Sequence, residues 1–333
     1  MVGRTLARPL EGATSARIEG SEDAPTAMLV SETIACANQK GGVGKTTTVV
    51  NLATYLALIG RRVLVLDLDP QGNATSGLGI DRDSLGVTAY DAMIDGRSLG
   101  DLVVTTVVTG LDLVPSAIGL AAVEVELAAT PQRERRLARV LADLPDMYDH
   151  VLIDCPPSLG LLTVNALTAA DTVLIPLQCE YYALEGLGQL LATIDLVRDN
   201  LNPDLAVDGV VLTMYDARTR LSSDVADEVR RHLGGIVYRT VVPRSVRLSE
   251  APSYGQAIAM YSPESRGAQA YRDLADEFLS RRAPSTAEAG SSPSGALTSS
   301  EHALDDALAG QPVSPQASDS DDGRASPTME AVA

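Results

Sequence analysis

Two lysines, Lys40 and Lys45, stand five positions apart in a glycine-rich run and are the only lysines among the 26 basic residues of the chain. The other 24 basic residues are Arg. A sequence that uses Arg wherever a general positive charge suffices, but keeps Lys at these two positions, indicates that both positions need an ammonium group. Ammonium groups and glycine N–H groups together bind phosphate, so the run predicts a phosphate site.

The glycine-rich run extends from Cys36 to Thr48 and follows an apolar strand-like segment. It opens a predicted helix, so glycine N–H groups and the helix dipole would face a bound phosphate. Lys45 would neutralise β- and γ-phosphate charge, and the Thr46 hydroxyl would complete a Mg²⁺ shell. The run departs from the standard pattern at Gln39, where the first glycine is expected. A purely structural turn explains the glycines but not both lysines. The residues expected to bind the nucleotide here are Lys40, Gly41, Gly42, Val43, Gly44, Lys45, Thr46 and Thr47.

Carboxylates follow two other apolar runs. Asp67 and Asp69 come at the end of one run, and Asp154 ends another. A carboxylate after an apolar strand beside a phosphate loop typically holds Mg²⁺, and Asp154 fits that role. Asp69 is available to orient or activate an attacking water. The simpler interpretation of either Asp154 or Asp69 is an N-cap of the following helix.

Short β-branched runs alternate with longer stretches of helical periodicity through the middle of the chain. Strands are predicted at 33–37, 63–68, 111–114, 150–153, 172–176, 207–213 and 236–241. Helices are predicted at 46–58, 120–144, 184–197, 222–233 and 266–279. Apolar strands separated by helices predict an α/β fold, a doubly wound, mostly parallel sheet with helices on both faces. Ligands bind such sheets beyond the carboxyl ends of the strands.

The composition favours a soluble globular protein, since 45% of the 333 residues are hydrophobic. No apolar run reaches the length of a membrane span and no signal peptide is evident, so the sequence predicts a cytoplasmic protein. Cys36, Cys155 and Cys179 lie in apolar segments and are expected to be buried and reduced.

The formal charge of −18 is distributed unevenly. Residues 1–27 are predicted to be a disordered extension, 28–282 a nucleotide-binding domain, and 283–333 a disordered acidic tail rich in Ala, Ser and Pro. The tail carries eight acidic residues and one Arg. Met28 is an alternative start, which the intact mass of the native protein would test.

Five separated blocks resemble the chromosomal ParA (Soj) family of deviant Walker A P-loop ATPases, and together they extend over residues 30–280. They are the run from Lys40 to Thr47, the run from Asp67 to Asn73, Ile153-Asp-Cys-Pro-Pro157, Pro176-Leu-Gln-Cys-Glu-Tyr-Tyr-Ala-Leu-Glu-Gly186 and Pro243-Arg-Ser-Val-Arg-Leu-Ser-Glu-Ala-Pro-Ser253. The resemblance implies an ATP- and Mg²⁺-dependent ATPase that forms a homodimer in its ATP state.

The resemblance also implies roles for single residues. Lys40 matches the signature lysine that contacts the partner's nucleotide across the dimer, and Gly41 the glycine at which the protomers approach closely. Asp69 matches the aspartate needed for hydrolysis, and Asp154 the Walker B aspartate. Pro243 and Ser245 occupy the positions that contact adenine, although many relatives carry Asn in place of Ser245.

Arginines are concentrated between positions 218 and 247, where seven Arg accompany three acids. In the family, arginines at the positions of Arg218 and Arg247 bind double-stranded DNA nonspecifically. Such phosphate contacts need no base readout and depend strongly on salt. The alternative is that these arginines form ion pairs with nearby acids or lie on solvated helix faces.

The resemblance implies a ParB/Spo0J-type centromere-binding partner and a nucleoid-associated location, with no membrane partner. The cargo stays open, since a chromosome, a plasmid or another body would fit. A MinD-like membrane-cycling ATPase, an iron–sulfur reductase of the same superfamily and a metabolic ATP-dependent ligase are the competing classes. They would need, respectively, a C-terminal amphipathic helix, paired cluster cysteines and additional substrate-binding polar groups.

Overall fold

Apolar, β-branched runs form the strands of the computed structural model, which describes residues 31–144, 146–181 and 183–283. Within these ranges the strands are β1 (Glu32–Cys36), β2 (Val63–Asp67), β3 (Val104–Thr105), β4 (Leu111–Val114), β5 (His150–Asp154), β6 (Thr172–Gln178), β7 (Ala206–Tyr215) and β8 (Val237–Pro243). The predicted extension at 1–27 and all of the predicted tail after residue 283 lie outside the described residues.

The α-helices follow the strands in alternation. They are α1 (Lys45–Leu58), α2 (Asn73–Gly77), α3 (Ala89–Asp95), α4 (Val123–Glu126), α5 (Arg136–Ala142), α6 (Leu161–Ala169), α7 (Ala183–Asn200), α8 (Arg220–Leu233), α9 (Val246–Glu250), α10 (Ile258–Tyr261) and α11 (Arg266–Arg282). Short 3-10 turns join several of them, including Ile118–Ala122 and Ala251–Tyr254.

The strands form one sheet in the order β3-β4-β2-β5-β1-β6-β7-β8. Every pairing is parallel except that of β3 with β4 at one edge. The central strand β1 is paired with β5 on one side and β6 on the other. This architecture confirms the predicted doubly wound, mostly parallel sheet.

Both faces of the sheet are buried, as successive side chains of β1 show. Ile34 and Cys36 pack in the cluster that contains α1 and α11, whereas Ala35 and Ala37 pack in the cluster that contains α5 to α8. Because neighbouring side chains of a strand point to opposite faces, a strand covered by helices on both sides must be apolar throughout. The continuous apolar runs in the sequence have this cause.

The long helix predicted at 120–144 is wrong. The structure divides that stretch into the 3-10 turn Ile118–Ala122, the short helix α4, a second 3-10 turn at Arg133–Arg135 and the helix α5. The break falls at Pro131 and Gln132, where Gln132 has a φ of 55° in the left-handed region and the proline nitrogen has no N–H to donate. Helical periodicity of the apolar residues persisted across the break because both pieces bury side chains in the same cluster.

The first strand and the last helix are tied together at the amino ends of the strands. Nη2 of Arg282 donates to Oε1 of Glu32 at 2.8 Å and lies 2.6 Å from Oδ1 of Asp208. Burial alone would raise the pKa of Glu32, but hydrogen bonds from His150 and Arg282 hold that pKa at about 2. This network lies at the edge of the sheet opposite the glycine-rich run and has a structural role.

Candidate functional site

The glycine-rich run forms a loop between β1 and α1, at the carboxyl edge of the sheet. Gly42 and Gly44 have φ values of 75° and 91°, in the left-handed region that disfavours side chains. Gly44 is the N-cap residue, so the helix begins at Lys45. The first-turn N–H groups and the positive end of the helix dipole therefore point towards the loop, which is the arrangement of an anion site.

The loop is fastened to the sheet by two side chains that sequence reasoning did not single out. Oγ1 of Thr213, in β7, donates to the carbonyl of Val43 at 2.8 Å. Nδ2 of Asn38 donates to the carbonyl of Pro176 at 2.8 Å, while Oδ1 of Asn38 accepts a hydrogen bond from the N–H of Lys40 at 3.0 Å. These contacts hold both ends of the loop in place before any ligand binds.

The two lysines of the loop point in different directions. The ammonium of Lys45 is buried and donates to the carbonyl of Lys40 at 3.1 Å, so it lies inside the curve of the loop. The ammonium of Lys40 instead reaches out of the loop and forms an ion pair with Glu180, after β6, with both side chains 41% exposed. One lysine thus belongs to the interior of the site and the other to its surface.

Asp67 and Asp154 end adjacent strands and are paired in register. Asp67 accepts hydrogen bonds from the N–H and the hydroxyl of Thr75 at 2.8 and 2.7 Å, which anchors α2. Both oxygens of Asp154 are buried, and neither has a hydrogen-bond partner of good geometry among the described residues.

Burial raises the pKa of both carboxyl groups, that of Asp67 to about 6 and that of Asp154 well above its usual range. The repulsion between the two carboxylates adds to the shift of Asp154, and the nearby Thr46 hydroxyl and Lys45 ammonium only partly oppose it. A buried, unpartnered carboxylate of this kind is stabilised in its ionised form by a cation.

Asp69 lies two residues beyond the end of β2 and is 6% exposed. Its Oδ1 accepts a hydrogen bond from the N–H of Gln71 at 2.9 Å, and its carbonyl accepts one from the hydroxyl of Ser116 at 2.7 Å. Its carboxylate is therefore held in the turn before α2 and is not the N-cap of that helix, whose N-cap is Gly72.

Two cavities open at this edge of the sheet. A cavity of about 250 Å³ is bordered by the glycine-rich loop, Asp69, Pro157 and Met214. A second cavity of about 380 Å³ lies between α1, α2 and the turn Ala251–Tyr254. Thr46, Thr47 and Asn73 border both cavities, so the two are adjoining parts of one recess.

Of the predicted nucleotide residues, five border this recess, namely Gly42, Gly44, Lys45, Thr46 and Thr47. The other five, Lys40, Gly41, Val43, Pro243 and Ser245, border neither cavity. Pro243 ends β8, where it is paired with Tyr215, the neighbour of Met214. Asn73 and Gln256, which border the larger cavity, were missed by sequence reasoning. Asn73 ends the run at 67–73 that carries part of the family resemblance, which was a signal for it, whereas Gln256 carried none.

The seven arginines between positions 218 and 247 do not form one patch. Arg218 and Arg220 follow the carboxyl end of β7, and Arg244 and Arg247 follow that of β8. Arg230, Arg231 and Arg239 lie towards the other end of α8 and the start of β8. A helix rises about 1.5 Å per residue, so α8 alone separates the two groups by roughly 15 Å.

Most of these arginines are paired with acids. Arg218 binds Asp216 through two hydrogen bonds of 2.9 and 2.8 Å, and Arg247 donates to Glu250 at 2.9 Å. Arg220, Arg230, Arg231 and Arg239 pair with Asp224, Asp227, Glu228 and Glu277. Three of these six acids lie outside the segment, so the segment is less positive in space than in sequence.

Among the described residues, no group of three or more His, Cys, Asp or Glu side chains is arranged to hold a metal ion. A metal at this site would therefore depend on Asp154 together with hydroxyl and ligand oxygens. None of the described helices has the length and apolar character needed to cross a membrane.

Comparison with known proteins identifies similar chains. Residues 31–207 match a family model described as an AAA domain. The sporulation initiation inhibitor protein Soj of Bacillus subtilis is 57% identical over 244 residues, which are 73% of this chain and 96% of Soj. The chromosome partitioning protein ParA of Caulobacter vibrioides is 52% identical over 258 residues, covering 77% of this chain and 97% of ParA.

Among solved structures, a protein described as cobyrinic acid a,c-diamide synthase from Mycobacterium smegmatis, with bound ATP analog and magnesium, is similar in fold and sequence. It superposes with a TM-score of 0.67 at 42% identity, covering 76% of this chain and 96% of the other. The two curated relatives and this structure share nearly their full length with residues of the present chain.

Proposed function

The chain belongs to the Soj/ParA family of chromosome-partitioning ATPases, and from that premise we propose that it is an ATP-driven dimer switch that binds DNA nonspecifically. It is a partitioning ATPase whose cofactors are ATP and Mg²⁺. The observation that carries the dimer switch is the divergence of the two lysines, because Lys45 is turned into the loop whereas Lys40 is exposed and paired with Glu180.

An exposed lysine beside a phosphate loop contributes little to its own nucleotide but can reach the nucleotide of a second copy. Supplied across a dimer, the ammonium of Lys40 would neutralise phosphate charge in the partner's site. To do so it must leave Glu180, and Gly41 allows the backbones of the two copies to approach closely. ATP would thereby stabilise the dimer, and hydrolysis would release it.

The residues at the carboxyl edge fit a magnesium ion. Asp154 supplies two buried carboxylate oxygens that have no hydrogen-bond partner of good geometry among the described residues, and Thr46 supplies a hydroxyl at the start of α1. Mg²⁺ bound there would offset phosphate charge and the repulsion between Asp154 and Asp67. Asp69, at the rim of the smaller cavity, would orient the attacking water.

Replacing Asp154 by Asn is expected to raise at least tenfold the Mg²⁺ concentration that gives half-maximal ATPase activity, as loss of a metal-orienting group usually does. Burial and the neighbouring Asp67 raise the pKa of Asp154 above its usual range, so this carboxyl group destabilises the metal-free fold increasingly as the pH rises above that range. The metal-free variant should therefore unfold at the same or a higher temperature than the wild type at pH 8. An unchanged Mg²⁺ requirement would contradict the assignment.

For adenine, we propose Pro243 and Ser245. Pro243 lies beside Tyr215 at the carboxyl end of β8, and the adjacent Met214 borders the phosphate cavity, so a nucleoside extending past Met214 would reach these two residues.

For DNA, we propose Arg218 and Arg247 as the nonspecific phosphate contacts. Both guanidinium groups are well exposed, at 87% and 59%. Both follow carboxyl ends of neighbouring strands and are therefore on the same edge of the sheet. Doubling such contacts in the ATP dimer would multiply affinity, so nucleotide would control DNA binding by controlling dimerisation.

The Arg218→Glu, Arg247→Glu double variant is expected to lose ATP-dependent DNA retention at low salt and to keep ATP-dependent dimerisation. The matched control is Arg230→Glu with Arg239→Glu, which changes the net charge equally within the same sequence segment but at the other edge of the sheet. Filter or anisotropy assays with a duplex of arbitrary sequence, with and without ATP and across salt, would measure the difference. Equal losses in both double variants would point to net charge and against this site.

A ParB-type centromere-binding protein is the proposed stimulator of hydrolysis, and the proposed location is cytoplasmic, on the nucleoid. A metabolic ATP-dependent synthetase is the second candidate, because one similar solved structure is described as a synthase. The partitioning proteins are more similar, at 57% against 42% identity. ATP-dependent, salt-sensitive DNA retention by the wild type decides between them, since a synthetase has no need of it.

A further inference from the structure

Asp216 lies directly beneath the guanidinium of Arg218. Oδ1 accepts hydrogen bonds from Nε and from the backbone N–H of Arg218 at 2.9 and 3.0 Å, and Oδ2 accepts one from Nη2 at 2.8 Å. The side chain of Asp216 is 19% exposed, whereas that of Arg218 is 87% exposed. The Asp216 carboxylate is thus held in the turn after β7 and is covered by the side chain of Arg218.

Arg244 approaches the same acid from the neighbouring strand. Its N–H donates to the carbonyl of Tyr215 at 3.0 Å, which places residue 244 beside the turn that carries Asp216. Its positive charge adds to that of Arg218 in lowering the pKa of Asp216 to about 2. The side chain of Arg244 is exposed and makes no hydrogen bond or ion pair with any other described residue. Of the seven arginines between 218 and 247, Arg244 alone forms no ion pair within the described part of the chain.

A phosphate group and a carboxylate offer an arginine the same forked arrangement of oxygens. The Nε and Nη2 donors of Arg218 can therefore bind a DNA phosphate only when they release Asp216. This step exchanges one anion for another and leaves a carboxylate charge close to the phosphate. Arg218 therefore contributes less to the free energy of DNA binding than a free guanidinium would. Arg244 can bind phosphate with no such exchange.

We infer that Asp216 is a built-in competitor of the DNA phosphate and that Arg244 is a further phosphate-binding residue, the one that makes contact before the exchange at Arg218. The inference rests on the proposed DNA-binding function and names a part of that same site. Asp216 keeps DNA affinity low enough for release, and Arg244 provides the initial attraction.

Two substitutions separate these roles. Asp216→Asn keeps a side-chain oxygen for the turn and removes the competing charge. Its control is Asp227→Asn, which removes the same charge from the partner of Arg230 at the far end of α8. Arg244→Gln removes the open guanidinium, and its control is Arg239→Gln, within the strand β8 that precedes Arg244 but paired with Glu277.

Each full-length variant is titrated with ATP and Mg²⁺ against a fluorescent 24-base-pair duplex of arbitrary sequence at several salt concentrations. Asp216→Asn is expected to bind about fivefold more tightly than wild type, with Asp227→Asn unchanged. Arg244→Gln is expected to bind about tenfold more weakly and to lose about one unit of salt slope per protomer, with Arg239→Gln unchanged. ATP-dependent dimerisation, measured as the increase in molecular mass in solution when ATP is added, should be the same in the wild type and the four variants.

If the wild type binds DNA and Asp216→Asn binds it with the same affinity as Asp227→Asn, the competitor role of Asp216 is overturned. Equal binding by Arg244→Gln and Arg239→Gln would overturn the phosphate-contact role. Failure of the wild type to bind DNA with ATP would instead overturn the proposed function itself, so the two failures are distinguishable.

Discussion

Lys45→Ala is expected to weaken ATP binding by about ten- to a hundredfold and to abolish ATP-dependent dimerisation. The ammonium of Lys45 is buried inside the loop, held at 3.1 Å from the Lys40 carbonyl, where it faces the phosphate cavity. A hydrogen bond to a charged group contributes about 1.5–3 kcal/mol, and each 1.4 kcal/mol is a factor of ten in affinity. Isothermal titration with a nonhydrolysable ATP analogue would measure the loss.

The matched control for this variant is Lys40→Ala, five residues away. Its side chain points out of the loop, and the carbonyl that Lys45 uses is retained, so nucleotide affinity of the monomer should change less than about threefold. Dimerisation should nevertheless be lost, because the trans contact is missing. If both variants lost nucleotide affinity equally, the two lysines would serve one site in one subunit and the dimer proposal would be untenable.

Asp69→Ala is expected to reduce ATP turnover by roughly 10²–10⁴-fold, the usual contribution of a positioned general base. ATP binding should persist, because the carboxylate of Asp69 bonds to Gln71 and not to the glycine-rich loop. The protein should therefore accumulate as an ATP-bound dimer retained on DNA. Turnover of ATP under excess enzyme, together with DNA retention at a fixed time, would test this.

Asp69→Asn is a useful companion variant because the amide retains an oxygen for the Gln71 N–H and keeps the turn before α2. It should show the same loss of turnover as Asp69→Ala with a smaller effect on thermal stability. Wild-type turnover in either variant would place the hydrolytic role on another residue.

The loop and the strands were predictable from sequence because their determinants are local. Gly42 and Gly44 are needed for left-handed backbone, and a strand buried on both faces must be apolar along its length. Asp154 could be placed at a strand end for the same reason. The role of Asp67 in anchoring α2 through Thr75 depends on residues eight positions apart and was not predicted.

Contacts between distant segments could not be predicted. The ion pair of Lys40 joins it to Glu180, 140 residues later, and nothing in either local sequence specifies the other. The arginine segment also shows this limit, because its charge along the sequence overestimates its positive charge in the folded structure. Counting charges along the chain gave a positive segment, but folding separates the arginines along α8 and brings Glu277, from α11, to Arg239. Asp216 and Glu250 are local partners that lie just outside the counted segment.

The position of β1 in the middle of the sheet has a consequence for synthesis of the protein on the ribosome. Glu32 begins the first strand, yet its partner His150 is made 118 residues later, and the Arg282 that closes over it 250 residues later. At about 5–20 residues per second, the apolar strand waits roughly 6–24 s with both edges unpaired. Unpaired apolar strands associate readily with other chains. Among the described strands, β1, which leads into the nucleotide loop, therefore stays unpaired longest and is the most exposed to association with other chains.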